Sequence, residues 1–434
     1  MSSIDITGAH DAPVVERHSR YRFVVLLLLM FAYCMNYMDR QVVSILAVPI
    51  KTDLQLSDSQ LGLMGGFAFA IFYSCLGIPI ARLADRKNRV TIISLAFTAW
   101  SVCTALCGFA NNFVQLLFTR LLVGVGEAGG VAPTYSLLTD YFPPRQRGKA
   151  MAVLTLGLPL GSALGLLLGG YFAQHYGWRA AFYLLGAIGV VTAPIVYFGI
   201  REPQRGRLDG DVAVPTATTS LADVLRHLAR KPSFWLLSFA AATASMLSYG
   251  LGFWLPTYIY RSQNISLAET SYALSAVTVS GGLIGLLAGG AISDWLGEAR
   301  KGAYAAVPCV AFVIGLPFML LAMSVHQLVP VLLLLFIPQA AGVVWMGPSI
   351  SAVQHLAPVH MRATTSAIFL FIVNLLGLGI GTLAFGALSD YYHSSYGDDA
   401  LRYAIITVAI VLYPIAVIMF GLASRRLERD WETS

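Results

Sequence analysis

The sequence predicts an all-α membrane protein with twelve transmembrane helices in two pseudo-symmetric six-helix bundles and both termini in the cytoplasm. Three observations predict it. The 434 residues are 57% hydrophobic and 12% charged, with a mean hydropathy of +0.70, a balance foreign to soluble globular chains. Apolar runs long enough to cross a bilayer recur twelve times. With both termini placed inside, 22 of the 28 Lys and Arg fall on the cytoplasmic side.

The runs lie near 23–49, 59–81, 90–110, 113–138, 148–174, 180–200, 233–260, 270–292, 303–324, 328–350, 363–388 and 402–423. Backbone groups in lipid must be satisfied internally, so runs this long are helices; the alternation of an outer-membrane barrel is absent. Lys51, Arg179, Arg261 and Arg402 fall outside, and Arg40 and Arg120 fall within the membrane. The net charge of +6 therefore reports orientation and predicts no nucleic-acid partner. The expected layout is a cytoplasmic tail at 1–22 without a cleavable signal, a bundle at 23–200, a linker at 201–232, a second bundle at 233–424 and a tail at 425–434.

The first segment contains Asn36-Tyr37-Met38-Asp39-Arg40-Gln41, an acid and a guanidinium near the middle of an apolar run. A charge at that depth costs about 2.5 kcal/mol or more, so such residues face a bundle interior or a wet cavity and mark a substrate or ion path. The fourth segment carries Arg120 and Glu127, seven residues apart and so on one face, about 10 Å between backbones. Helix 1 runs outward and helix 4 inward, which puts Asp39 about 15 Å, Arg120 about 10 Å and Glu127 about 20 Å below the outer ends. All four share one slab. Proton coupling needs a carboxylate whose affinity changes with burial and with an approaching arginine, and Asp39 and Glu127 are the acids within the spans. Arg40 and Arg120 suit an anionic headgroup, since a guanidinium offers a planar fork; spacing does not divide substrate binding from charge tuning between them.

Glycines recur every four residues on the fifth segment (Gly157, Gly161, Gly165, Gly169) and on the eighth (Gly281, Gly285, Gly289), which lets helices approach closely. In the linker, Leu221, Val224, Leu225 and Leu228 share a face opposite Arg226 and Arg230, an amphipathic helix along the cytoplasmic surface. The second half has no charge within its spans. Its seventh segment supplies Tyr249, Phe253, Trp254 and Tyr258, and its tenth supplies Trp345 and Met346; Gln339 and Asn374 are polar exceptions expected to bond between helices. Charges on one wall and aromatic groups on the other suit an amphiphile, its head on segments 1 and 4 and its tail toward Tyr249, Phe253, Trp254, Trp345 and Met346.

The halves echo each other. Asp85 after the second segment matches Asp294 after the eighth, Arg147 matches Arg362, and Gly161, Gly165 and Gly170 match Gly377, Gly381 and Gly386 at a constant offset of 216. Weak repetition at half the chain length is a mark of repeat-built transporters, whose site lies between the repeats at mid-membrane. Other chemistry is poorly supplied. There is no phosphate-binding glycine loop, no His-Glu-x-x-His and no Gly-x-Ser-x-Gly, so no enzyme, cofactor or metal site is expected. The five cysteines, Cys34, Cys75, Cys103, Cys107 and Cys309, read as small buried hydrophobes.

Gly77-Ile78-Pro79-Ile80-Ala81-Arg82-Leu83-Ala84-Asp85-Arg86-Lys87-Asn88-Arg89 resembles the signature loop of the major facilitator superfamily, with Ala81 and Asn88 in place of two glycines. Asn tolerates a left-handed backbone, so Asn88 is expected to keep the turn. The resemblance implies a conformational latch in which Asp85, Arg86, Arg89, Arg147 and Asp294 hold the outward-facing state. Asn36 to Arg40, Gly124-Val125-Gly126-Glu127-Ala128 and Leu138-Thr139-Asp140-Tyr141-Phe142-Pro143-Pro144 further resemble the spinster family of lipid transporters, bacterial members especially. That resemblance implies proton-linked movement of lysophospholipids or sphingoid lipids, powered by the proton gradient, with Asp39, Arg40, Arg120 and Glu127 as the functional set; a monomer is expected, and the compact tails suggest a bacterial inner membrane. The anion:cation symporters share a similar Asp-Arg and Gly-Glu-Ala and imply small sugar acids instead.

Overall fold

The computed structural model describes residues 12–206, 208 and 220–432; the start of the expected tail (1–11), most of the linker (207 and 209–219) and residues 433–434 lie outside the described residues. Every regular element described is helical, and twelve helices have spanning length: α1 (Ala12–Leu54), α2 (Asp58–Ala84), α3 (Arg89–Cys107), α4 (Phe113–Tyr141), α5 (Pro144–Tyr176), α6 (Trp178–Gly199), α7 (Pro232–Gln263), α8 (Leu267–Ala299), α9 (Ala303–Ser324), α10 (Leu328–Gln354), α11 (362–396) and α12 (Ala400–Asp430). The amphipathic helix of the linker is present at Leu221–Ala229, with Val224 and Leu228 buried against the second half and Arg226 and Arg230 exposed.

Local chemistry sets the helix ends. Ser57 with Gln60, and Ser266 with Glu269, form capping boxes that start α2 and α8. Gly177, at φ 83°, takes the positive angle that lets α5 turn into α6 with one residue between them. Asn88 departs from expectation. It sits at φ −63° in extended backbone, and its Oδ1 accepts the Thr91 N–H at 2.8 Å, so its role is to cap α3.

The glycine stripes seat helices within each half. A Cβ on Gly161 or Gly165 would strike the backbone of Cys34 or Met38 on α1, and one on Gly285 or Gly289 would strike α10 at Ala340 or Val344. Two π-helical turns, Leu63–Phe67 in α2 and Leu375–Ile380 in α11, face each other where these helices cross between the halves. There Thr382 Oγ1 donates to the Gly62 carbonyl at 2.9 Å, and a Cβ on Gly66 would collide with Thr382 and with the Leu378 carbonyl.

Candidate functional site: a charged and aromatic cavity between the halves

A cavity of about 1850 Å³, counting its open mouth, lies between the halves and is lined by α1, α2, α4 and α5 on one side and α7, α8, α10 and α11 on the other. Its charged lining groups are Arg40 and Arg120, both from the first half. Each pairs with an acid from the facing helix. Arg40 Nε donates to Glu127 Oε2 at 2.7 Å, and Arg120 Nη1 lies 3.5 Å from Asp39 Oδ2. The two acids, 3% and 0% exposed, stand one layer behind the arginines and out of the cavity. The four residues singled out on α1 and α4 thus converge.

Partners outside that set position the acids. Asn36 Nδ2 donates to Glu127 Oε2 at 2.7 Å, and Thr104 Oγ1 on α3 donates to Asp39 Oδ1 at 2.8 Å. The Arg40 guanidinium rests against three rings, its central carbon 4.5 Å from the centre of Tyr73, 4.6 Å from Phe69 and 5.3 Å from Tyr37. Such stacking steadies a desolvated cation by about 0.5–2 kcal/mol. Five buried polar atoms of the cluster lack a hydrogen-bond partner: Arg40 Nη2, Arg120 Nε and Nη1, Asp39 Oδ2 and Glu127 Oε1. Nearer the cytoplasm the hydroxyls of Tyr37, Tyr33 and Tyr135 form a chain along the wall, 3.5 and 3.3 Å apart.

The opposite wall carries no charge. Tyr249, Phe253, Trp345 and Met346 line it, as do Gln339 and Asn374. Those two amides form no side-chain hydrogen bond among the described residues; they face the cavity where interhelical bonds were expected. Trp254 needs a correction. Its ring is fully buried and its indole N–H donates to the Thr382 carbonyl at 2.8 Å, because a residue next to Phe253 on a helix points about 100° away and here meets α11.

At the outer end a set of groups absent from the sequence expectations joins the halves. Asp58, the first residue of α2 and 3% exposed, accepts Arg261 Nη1 and Nη2 at 3.1 and 3.0 Å, the Ser389 hydroxyl at 2.7 Å and the Lys51 ammonium. Asp390 on α11 accepts the backbone N–H groups of Asp58 and Ser59 at 3.0 and 2.7 Å, so a carboxylate of one half caps a helix of the other. Gln41 Nε2 also crosses, to the Gly252 carbonyl at 2.8 Å.

At the cytoplasmic end the described bonds of the signature-loop charges lie within their own halves. Arg89, 1% exposed, donates to Glu202 at 2.7 Å and to Asp140 and Ser136. Arg147 Nε donates to the Thr139 and Phe142 carbonyls, and Asp294 accepts the Tyr304 hydroxyl at 3.1 Å. Asp85 and Arg86 are exposed.

A fold of two helical halves around a central cavity is the architecture of a membrane transporter. The profile of the Major Facilitator Superfamily matches residues 29–382, and the chain belongs to that superfamily, on its spinster-like side. It is 34% identical over 426 residues to an MFS-type efflux pump of Mycolicibacterium smegmatis, covering 98% of this chain and 97% of that protein. It is 28% identical to protein spinster homolog 1 of Xenopus tropicalis, covering 90% and 78%. The crystal structure of a bacterial homolog to the human lysosomal transporter spinster, inward-facing and unoccupied, superposes with a TM-score of 0.86 at 29% identity over 95% of this chain and 99% of that one; its inward-facing and occupied form gives 0.81. More distant relatives carry two substrate classes in their names: the sphingosine-1-phosphate transporter SPNS2 of Danio rerio, 25% identical over 91% of this chain, and a hexuronate transporter of Bacillus subtilis, 29% identical over 65%.

Proposed function

We propose that this integral membrane transporter moves amphiphilic lipids, of the lysophospholipid or sphingoid type, across a bacterial inner membrane as a monomer driven by the proton gradient. The observation that carries the reading is the asymmetry of the cavity: its charged lining groups, Arg40 and Arg120, are on one wall, and Tyr249, Phe253, Trp345 and Met346 are on the other. An anionic headgroup would take the spare guanidinium donors and an apolar tail would lie against the rings. Headgroup binding competes with the acids for the same arginines. Glu127 and Asp39 released from Arg40 and Arg120 are buried carboxylates without a counter-charge, a state that favours proton uptake. Substrate and proton thereby become linked through four side chains, with Asn36 and Thr104 holding the acids in place.

In the outward-facing state, Asp85, Arg86, Arg89, Arg147 and Asp294 would exchange partners to latch the cytoplasmic ends together, while Asp58 gives up Arg261. A second reading, proton-linked uptake of sugar acids, draws on Gln339 and Asn374, whose free amides could bond hydroxyls, and on the hexuronate relative.

The test is flux into liposomes under an imposed pH gradient, with a fluorescent lysolipid and a radiolabelled hexuronate compared in parallel, and each repeated with Glu127→Gln. Lysolipid movement that needs both the gradient and Glu127 is expected. Hexuronate uptake with an inert lysolipid overturns the lipid reading, and gradient-independent flux in both proteins overturns the coupling.

A further inference from the structure

A second cavity, sharing no lining residue with the central one, lies on the outside of the second half between α7 and α12. Counting its open mouth, as for the central cavity, it has a volume of about 810 Å³, and it is walled by Trp235, Leu236, Phe239, Met419 and Leu422, with Arg426, Ala229 and Pro232 completing the lining. Phe239 and Leu422 are 41% and 43% exposed, so the groove is open along its length.

Its depth fits one leaflet. The membrane part of α7 begins near 233 and that of α12 ends near 424, so Phe239 lies about 9 Å and Met419 about 8 Å inside the cytoplasmic boundary at 1.5 Å per residue. The hydrocarbon of one leaflet is about 15 Å thick. The groove thus runs from the headgroup level to about the middle of the cytoplasmic leaflet. At the headgroup level Arg426 lines the groove, and Arg230, outside the lining but next in sequence to the lining residue Ala229, stands at its rim; both are exposed and have no carboxylate within 4 Å among the described residues. Of the other basic groups at this end, Lys231 pairs with Glu432 at 2.7 Å and Arg226 with Asp223 at 3.2 Å, while Arg425 and Arg429 are, like Arg426, exposed and without an ion pair among the described residues.

This end is rigid. Trp235 Nε1 donates to the Leu228 carbonyl at 3.1 Å, tying the groove wall to the amphipathic helix, and Asp430 Oδ2 accepts the Ser233 N–H and hydroxyl at 3.0 and 2.7 Å. Trp431 stacks on His355 at 4.6 Å between ring centres, which fixes the end of α12 to the loop that leads into α11. A ligand seated here would therefore touch the frame from which α7, α11 and α12 emerge.

We propose that this groove binds one anionic phospholipid of the cytoplasmic leaflet, with an acyl chain along Trp235, Phe239 and Met419 and the phosphate on Arg426 and Arg230. Basic pockets between helices on the cytoplasmic side are suited to anionic headgroups, and the two unpaired guanidiniums supply the donors. Because both arginines are exposed, removing them leaves the fold intact.

Native mass spectrometry of the purified full chain, titrated with phosphatidylglycerol or phosphatidylcholine of matched chains, tests this directly. One phosphatidylglycerol is expected to bind in preference, and Arg230→Gln/Arg426→Gln is expected to weaken that binding on the order of 30-fold while leaving phosphatidylcholine unaffected. In parallel, phosphatidylglycerol brominated on its chains should quench a component of the tryptophan fluorescence that Trp235→Phe removes. Equal retention of the two lipids, an unchanged preference in the double variant, or quenching indifferent to Trp235 each overturns the site.

Discussion

The two ends of the interface between the halves are built from similar charges and use them in opposite ways. At the outer end they cross: Asp58 of α2 holds Arg261 of α7, and Asp390 of α11 caps α2. At the cytoplasmic end they do not. Arg89 stays with Asp140 and Glu202, Lys231 with Glu432, and Arg300 with Glu428. Every hydrogen bond joining the halves among the described residues lies between mid-membrane and the outer end, from Gln41 and Ser275 outward to Asp58 and Asp390. The bonds shared between the halves here are those of the outer end, and the two solved structures on which the chain superposes are inward-facing.

The comparison breaks most readily at Asp58. Asp58→Asn removes the one carboxylate that receives Lys51, Arg261 and Ser389 together, and loss of a partner from a buried pair costs about 3 kcal/mol. The Arg261 and Ser389 bonds cross between the halves while Lys51 belongs to the same half as Asp58, so only the crossing bonds' share of that cost falls on the outer-closed state, and the balance should move toward outer-open by roughly 30-fold. Spin labels at the exposed Asn111 and Gln327, in a background without the native cysteines, would report it as a longer distance population in the variant. An unchanged distribution would mean that packing, and not this ion pair, holds the outer end.

Arg89→Gln should separate the ends from the other direction. It strands Asp140 and Glu202 beside each other, and a loss of about 2–3 kcal/mol in thermal stability is expected with no change in the Asn111–Gln327 distances. A shift in those distances would show that the cytoplasmic charges influence the outer end even while confined to one half.

Between the ends, Gly66→Ala probes the crossing of the two π-helical turns. The added Cβ overlaps Thr382 Oγ1 and the Leu378 carbonyl only where α2 and α11 are in close contact, so the variant should disfavour the outer-closed state by about 1–2 kcal/mol. The same spin labels read it, and a response matching Asp58→Asn in direction but smaller in size is expected.

What could be read from the sequence follows from how abnormal each residue is in its surroundings. Asp39, Arg40, Arg120 and Glu127 lie in the middle of apolar runs, and their burial as two facing pairs follows from the cost of charge at that depth. Asp58 and Asp390 sit at helix ends next to polar loops, where an acid ordinarily meets water, so nothing in their local text signals that α2, α7 and α11 close over them. Asn36 and Thr104 are neutral and common in membrane helices; only the packing of α1 against α3 and α4 makes them partners of the acids. Trp254 failed for a related reason. Aromatic residues at 253 and 254 cannot share a face, and hydropathy alone does not say which of them looks inward.

The smallest expected effect concerns a pair that stays within its half. The Lys231 ammonium holds the Glu432 carboxyl below its ordinary value, at 2.7 Å, with His227 3.8 Å away. A carboxyl depressed in the folded protein adds stability above its unfolded value near 4.3 and loses that contribution as the pH falls through the folded value. The pair is partly exposed, so solvent screening limits the contribution to about 0.3 kcal/mol at pH 7. Thermal melts of wild type and Glu432→Gln should therefore differ slightly at neutral pH and converge toward pH 3.5. If the gap persists at low pH, the Glu432 side chain contributes through packing or a neutral hydrogen bond and not through its charge, since the Glu432 N–H donated to the His355 carbonyl is present in both proteins. The outer closure differs in that its carboxylates bond across the halves, Asp58 to Arg261 and Ser389 and Asp390 to the Asp58 and Ser59 N–H groups, so a substitution there changes the contact between the halves and not the shape of one half.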